Sequence, residues 1–185
     1  MGDELRPPLT EDDHVRGPDG EPFTIVVFGD YECPLTARLW RTLRESRPSS
    51  YQFRSGVRFR EAYRHYPLAR VHPHAMVAAQ AAEAAADQGR FWGMHDTLFE
   101  HQDALEVDHL SAYARHLGLD VGRFDEDLAF ETFADAVRAD LRSGIGSGVT
   151  ATPTVFVNGV RITLETPEHL PEQLNRLAAA STDGP

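Results

Sequence analysis

Cys33 is the residue of this chain whose type and position most directly suggest chemistry. It is the only cysteine among 185 residues, and Pro34, Leu35 and Thr36 follow it. A thiol at the start of a helix gains from free backbone N–H groups and from the positive end of the helix dipole. Such positions lower the pKa of a cysteine, and the thiolate is the nucleophilic form. We therefore predict a reactive Cys33 and rank it above the alternative, a small buried apolar side chain.

The single thiol limits the chemistry that the chain can perform alone. With one cysteine no internal disulfide can form, so any redox step needs a thiol or disulfide from a second molecule. Thr36 lies one helical turn after Cys33, and its hydroxyl is expected to reach the sulfur or the Cys33 carbonyl. The alternative, a helix-surface threonine bonded to its own backbone, has equal weight.

A second group of residues, Gly148–Thr154, contains Pro153 directly before an apolar run. Proline is tolerated there only at the start of a strand or where the backbone has a special shape. A cis Thr152–Pro153 peptide bond is therefore a hypothesis, although only about 5% of X–Pro bonds are cis in folded proteins.

The elements around Cys33 predict a strand, a helix and a second strand. Thr24–Gly29 is a short unbroken apolar run, typical of a strand buried on both faces. A helix is predicted to begin near Cys33, with Pro34 in its first turn. Val57–Tyr63 alternates between apolar and basic residues and predicts the second strand.

Five helices are predicted after the second strand, followed by a hairpin and a last helix. The five are indicated at His74–Gln88, around Phe91–Leu98, after Asp108, after Asp120, and through Phe133–Leu141. Asn158 and Gly159 mark a hairpin turn, and Thr166 followed by Pro167 predicts a helix start. This order indicates a mixed sheet with helices on both faces.

Length and composition indicate one domain and disfavour two classes of partner. With 41% hydrophobic and 25% charged residues the chain resembles one globular domain, with loose tails at 1–13 and 181–185. The net charge of −11 disfavours nucleic acid and anionic membranes. No run approaches a membrane span, and Met1–Thr10 lacks the features of a secretory signal, so a cytoplasmic location is expected.

At these residues the sequence resembles the DsbA-like branch of the thioredoxin superfamily. Within that branch it is similar to the thioredoxin-like domains fused to some bacterial sodium/proton antiporters. The resemblance covers roughly His14 to Leu177. The matching segments are Asp13–Pro18, Phe28–Pro34, Tyr66–Leu68, His72–His74, Gln88–Trp92, Met94–His95, Leu117–Asp120 and Thr150–Gly159.

The resemblance implies an α/β thioredoxin fold, a central mixed sheet flanked by helices, with an all-helical insertion. The thioredoxin core would span about 20–66 and 149–180, and the insertion about 67–148. It also implies that Cys33 is a nucleophile facing a cis Pro153, beside which the backbone pairs with an extended substrate or a thiol tripeptide. The predicted catalytic residues are Cys33, Pro34, Thr36 and Pro153, and the predicted substrate-binding residues are Leu35, Ala151 and Thr152.

Thr36 departs from the family, which usually has its second cysteine at this position. We therefore predict an enzyme, a bacterial cytoplasmic thiol-disulfide oxidoreductase that acts as a monothiol through Cys33. Its partners would be protein or small-molecule thiols and disulfides. No cofactor is expected, and glutathione or another low-molecular-weight thiol would be the co-substrate. The alternatives are a redox-inactive peptide- or partner-binding module and, third, a transferase-like protein that binds glutathione without forming a disulfide.

The nine histidines do not predict a metal site. Zinc ordinarily needs three or four convergent ligands, and no His/Cys spacing of that kind is present. The resemblance places Pro73 and its neighbours at a helix start, so loop and capping roles are predicted for His72 and His74, with His65 nearby, rather than ligation. An iron–sulfur cluster is not expected beside Pro34 in a chain with no other cysteine.

Overall fold

In the computed structural model, which describes residues 3–46 and 51–182, a five-stranded mixed sheet forms the centre of the molecule. The strand order is β1-β3-β2-β4-β5, with β2 and β3 parallel and the other neighbours antiparallel. The strands are β1 His14–Arg16, β2 Phe23–Gly29, β3 Phe59–His65, β4 Thr154–Val157 and β5 Val160–Ile162. The predicted α/β thioredoxin architecture is confirmed.

Helices pack on the sheet, and most of them lie between β3 and β4. The helices are α1 Pro34–Arg44, α2 Ala75–Ala86, α3 Phe91–Glu100, α4 Val107–His116, α5 Val121–Ala129, α6 Ala134–Gly146, a 3-10 helix Pro167–His169, and α7 Leu170–Thr182. We call residues 67–148, which contain α2 to α6, the helical insertion. Among the described helices, none combines the length and apolar character needed to cross a membrane.

β2 runs through the middle of the sheet, between β3 and β4. Ile25 and Val27 pack into one apolar core, while Val26 and Phe28 pack into another. Because both faces of the strand are covered, its sequence is an unbroken apolar run rather than an alternating one. Phe28 lies opposite Thr154 in the antiparallel pairing with β4, so the end of β2 lies beside the start of β4.

Several predicted boundaries shift in the structure. β3 begins at Phe59 rather than at Val57. The N-cap of α4 is Glu106, and Asp108 lies inside the first turn, where its charge still favours the helix dipole. Asp120 caps α5 as predicted, since its side chain accepts a hydrogen bond from Arg123 N. Pro167 opens a 3-10 turn, and the α-helix itself begins at Leu170.

The prediction of a loose N-terminal tail is wrong for residues 3–13. Leu5 N donates to Gly159 O at 2.8 Å and Arg161 N donates to Asp3 O at 2.7 Å, so this segment continues the sheet beyond β5. The Arg64 guanidinium, almost fully buried, donates to Pro7 O and to the Asp13 carboxylate. These partners are far apart in sequence, and no local pattern indicates them. At the other end α7 continues to Thr182, and residues 183–185 lie outside the described residues.

Candidate functional site

Cys33 occupies the N-cap position of α1, as the sequence predicted. The chain leaves β2 at Gly29, turns through a hydrogen bond from Cys33 N to Asp30 O at 3.1 Å, and enters the helix. Pro34 fills the first helical position, where its missing N–H costs no hydrogen bond. The Cys33 carbonyl accepts the first helical hydrogen bond from Ala37 N at 3.1 Å. The thiol is thus fixed at the positive end of α1.

The segment before β4 meets the thiol. Thr152 O lies 3.3 Å from Cys33 Sγ and accepts a hydrogen bond from the thiol. The Thr152–Pro153 peptide bond is cis, which confirms the hypothesis drawn from the sequence. Cys33 itself is 6% exposed, so the residue is largely buried. Two regions separated by 119 residues therefore form one site around the sulfur.

A groove runs alongside Pro153, between α1 and the segment that follows β5. Its floor contains Ala151 and Thr152 from the chain before β4, and Leu35 forms part of its wall. Leu35 is 44% exposed, so its side chain is available to a molecule in the groove. The three predicted substrate-binding residues therefore lie in one open groove beside Cys33.

The segment that follows β5, on the other side of this groove, is joined to α1 by an ion pair. Arg38 donates two hydrogen bonds of 2.7 Å to the Glu168 carboxylate. These hydrogen bonds lower the pKa of Glu168 to about 2. Both side chains are more than two-fifths exposed, so the pair contributes little to stability and mainly fixes the position of that segment.

The prediction for Thr36 is corrected by the structure. Its side chain is 1% exposed, and its hydroxyl has no hydrogen-bond partner among the described residues. It therefore bonds neither the Cys33 sulfur nor a backbone carbonyl. The side chain packs on the end of β2 instead, because a Cβ added at Gly29 would lie 2.7 Å from Thr36 Cγ2 and 2.6 Å from the Tyr63 hydroxyl oxygen. Thr36 therefore acts in this structure as a small, buried packing residue.

Two buried tyrosines surround the inner side of the site. Tyr31 and Tyr63 stack with ring centroids 5.4 Å apart, and Tyr31 Oη lies 3.0 Å from His95 Nδ1. Burial raises the pKa of both phenols well above the usual value. Both therefore keep their protons at neutral pH, and neither adds negative charge beside Cys33.

The loop that carries Cys33, residues 30–33, is held by two acid–imidazole pairs. The buried Asp30 carboxylate accepts hydrogen bonds from Leu68 N and His72 Nδ1, each at 2.8 Å. Glu32 accepts from the backbone N–H of His74 at 2.6 Å and lies 2.9 Å from His74 Nδ1. Two acids spaced two residues apart thus hold two histidines with the same spacing.

Gln102 holds the same loop from a third direction. It follows the end of α3, and its Nε2 donates to Tyr31 O at 2.6 Å and to Cys33 O at 3.1 Å. No motif marks this glutamine, because a side-chain amide that binds backbone carbonyls leaves no sequence pattern. The matching spacing of Asp30 and Glu32 with His72 and His74 was a signal that sequence reasoning could have used.

The histidines do not converge on a metal. His72 and His74 each face a different carboxylate, and His65 Nε2 lies 2.8 Å from Glu83 Oε1. Within residues 3–46 and 51–182 no group of three or more metal-ligating side chains is close enough to hold an ion. The predicted loop role suits His72, and His74 stands at the N-cap of α2, although its side chain makes no capping hydrogen bond.

Comparison with known proteins places this geometry in a family. A family model described as Thioredoxin matches residues 9–176. The sodium/proton antiporter NhaA 3 of Salinispora tropica is 43% identical over 178 residues, which are 96% of this chain and 26% of the antiporter. The chain thus spans about a quarter of the length of this relative.

Two solved structures share the fold over nearly the whole chain. Oxidised BdbD from Bacillus subtilis has a TM-score of 0.75 and 24% identity, and the match covers 93% of this chain and 94% of BdbD. α-DsbA1 from Wolbachia pipientis has a TM-score of 0.76 and 17% identity, and the match covers 98% of each chain.

Proposed function

The chain belongs to the thioredoxin family, as a DsbA-like member, and from this premise we propose that it is a thiol-disulfide oxidoreductase acting as a monothiol through Cys33. The observation that supports this most strongly is the position of the only cysteine. It stands at the N-cap of α1 with its sulfur 3.3 Å from the backbone of a cis-proline segment. A buried structural cysteine needs neither of these features.

The proposed reaction is disulfide exchange in two steps. In the first, the Cys33 thiolate attacks one sulfur of a disulfide, the disulfide breaks, and the other sulfur leaves as a thiolate. In the second, a thiol from solution attacks the mixed disulfide on Cys33 and releases the cysteine as a thiolate. Electrons balance because one disulfide is broken and one formed in each step. Glutathione or another low-molecular-weight thiol is the proposed resolving group, because Thr36 provides no second sulfur.

The surroundings of Cys33 support each step. The N-terminus of α1 favours negative charge on the sulfur during attack and during release. Thr152 O lies 3.3 Å from the sulfur, and Thr152 also lines the groove along Leu35 and Ala151, so we place the partner in that groove. An extended peptide or a thiol tripeptide fits such a placement. We propose the bacterial cytoplasm as the setting, since a reducing pool of small thiols would resolve the mixed disulfide there.

A redox-inactive binding module is the second candidate. The observation in its favour is the 6% exposure of Cys33, together with a threonine at the resolving position. In this account the groove beside Pro153 binds an extended partner without any covalent step. Binding would then survive Cys33→Ala, because that substitution leaves the groove intact.

A turnover assay separates the two candidates. The substrate is a cysteine-containing peptide joined to glutathione by a disulfide, and excess reduced glutathione supplies the second thiol. We expect the wild type to accelerate release of the free peptide and Cys33→Ala to leave the uncatalysed rate. Equal rates for the two proteins, with unchanged peptide binding, would replace the enzyme proposal by the binding module.

A further inference from the structure

The helical insertion contacts each residue of the loop that carries Cys33. Asp30 and Glu32 contact the imidazoles of His72 and His74, which lie just before α2 at the start of the insertion. Tyr31 contacts His95 on α3 through its hydroxyl. Of these contacts, the side chain of Gln102 is the one that bonds the main chain of Cys33 itself. The position of the nucleophile is therefore coupled to a residue 69 positions away.

The geometry fixes the role of the Gln102 amide. Its nitrogen faces two carbonyl oxygens, Tyr31 O at 2.6 Å and Cys33 O at 3.1 Å, so the nitrogen donates both hydrogen bonds. The opposite orientation of the amide would place its oxygen against two other acceptors. A glutamate or a methionine at this position has no donor for either carbonyl.

The hydrogen bonds to these two carbonyls restrain the main chain that carries the sulfur. The Cys33 carbonyl belongs to the peptide bond with Pro34, which has no N–H, so this peptide group is held only through its oxygen. That oxygen accepts from Ala37 N within α1 and from Gln102 outside it. On the N-terminal side, Cys33 N donates to Asp30 O and Tyr31 O accepts from Gln102, so the backbone is held before and after the Cys33 Cα.

We propose that Gln102 is a positioning residue for Cys33, which rests on the proposed thiol-exchange function. It holds the loop so that the sulfur stays in place beside Thr152 O. Without its two hydrogen bonds the loop samples orientations in which the sulfur is displaced from this position. The expected consequence is slower exchange at Cys33, beyond what the loss of two hydrogen bonds elsewhere in the insertion causes.

The test measures the reaction of Cys33 with dithiodipyridine, a symmetric aromatic disulfide. The thiolate attacks one sulfur, the aromatic disulfide breaks, and the released thiopyridone is followed by its absorbance. Gln102→Met removes both donors without adding charge, and Gln102→Glu removes both donors and adds a negative charge. Gln88→Met is the matched control, because Gln88 bonds the backbone of Asp120 within the same insertion and contacts no residue of the 30–33 loop.

We expect Gln102→Met and Gln102→Glu each to slow the reaction about tenfold, which is the size of one to two hydrogen bonds. Gln88→Met should react at the wild-type rate, and because it also loses two hydrogen bonds to the backbone, its urea midpoint should fall about as far as that of Gln102→Met. Rates that converge in urea-unfolded protein would show that the difference belongs to the folded loop.

Four results would overturn the proposal. Unchanged rates in both Gln102 variants would show that its hydrogen bonds do not position the thiol. Slowing in Gln102→Glu alone would reveal a charge effect, and equal slowing in Gln102→Met and Gln88→Met would reveal a structural role only. A folded wild type that does not react would overturn the proposed function as well, and this is distinct from a wild type that reacts as fast as its variants.

Discussion

At the residue scale, the site depends on the Cys33 sulfur, and its neighbour Thr36 provides no second thiol. Thr36 lies where a resolving thiol would stand one turn after Cys33, and its hydroxyl has no partner among the described residues. A buried hydroxyl without a partner costs free energy, so its removal should be tolerated. The structure therefore offers a buried space of the right size for a second thiol.

Thr36→Cys should convert the chain into a dithiol protein. Because the new thiol would lie one turn from Cys33 at the start of α1, we expect oxidation to consume both thiols within one molecule. Thiol titration of the unfolded monomer after oxidation measures this. Retention of both thiols in oxidised monomer would contradict the geometry.

Thr36→Val is the matched control for that experiment. Valine has nearly the same shape and lacks only the hydroxyl, so the free energy of unfolding should change by less than about 1 kcal/mol, measured by urea unfolding. A larger loss would mean that the Thr36 hydroxyl has a partner that stabilises the fold.

At the element scale, α6 and the end of β3 hold the segment that precedes Pro153. Tyr66 follows β3, and its hydroxyl donates to Val149 O at 2.8 Å. Gly144 in α6 lies against the Tyr66 ring, since an added Cβ there would be 2.6 Å from Tyr66 Cδ2. The glycine is thus required for close approach of α6 to the ring, and the tyrosine hydroxyl reaches Val149, four residues before Pro153.

Gly144→Ala should destabilise the protein by about 1–3 kcal/mol, because the methyl group overpacks the Tyr66 ring. Urea unfolding measures the change. Gly146→Ala is the control in the same helix, since an added Cβ meets nothing within 4 Å, and it should be neutral or slightly stabilising. Equal effects of the two substitutions would show that helix propensity rather than packing decides.

At the scale of the whole molecule, a buried carboxylate joins β1, β3 and the helical insertion through two imidazole contacts. Glu83 in α2 lies 2.8 Å from His14 Nε2 and 2.8 Å from His65 Nε2. Burial alone would raise the pKa of Glu83, but the two histidines overcome this and hold the pKa well below its usual range. The ionised carboxylate therefore stabilises the folded state.

The pH dependence of stability should reflect Glu83. A carboxyl whose folded pKa is lowered contributes stability above its unfolded pKa of about 4.3, and the contribution is lost as pH falls below it. We expect Glu83→Gln to lose about 1.5–3 kcal/mol at pH 7, because the charged acceptor of two imidazole hydrogen bonds becomes a neutral amide. The gap to the wild type should close below about pH 4.

Urea unfolding across this pH range tests the prediction. Glu172→Gln on the exposed face of α7 is the control and should follow the wild-type profile. A gap for Glu83→Gln that stays constant from neutral to acid pH would show that its effect is steric rather than electrostatic.

Much of the fold could be predicted from the sequence, because local patterns determine it. The apolar run of β2, the Pro34 helix start and the Asn158 turn are each encoded within a few residues. The N-terminal segment could not be predicted, because it is fixed by Arg64 and by pairing with β5, far away in the chain.

The central residues of the candidate site could be predicted from the sequence, but the residues that hold them in place could not. The family resemblance implied that Cys33 faces the segment of Pro153, and Thr152 O contacts the sulfur in the structure. The hydrogen bond from Gln102 to the Cys33 carbonyl depends on how the insertion packs against the loop, and no periodicity in the sequence indicates that packing. The state of the Thr36 hydroxyl likewise depends on what the fold places around it.

The most direct test of the account is the reversible modification of Cys33 by oxidised glutathione, followed by intact-protein mass spectrometry. We predict that the folded wild type gains one glutathione, that reduced glutathione removes it, and that Cys33→Ala gains none. A folded wild type that stays unmodified, while the same protein unfolded in urea is modified, would contradict the account. It would show that the fold protects this thiol instead of presenting it.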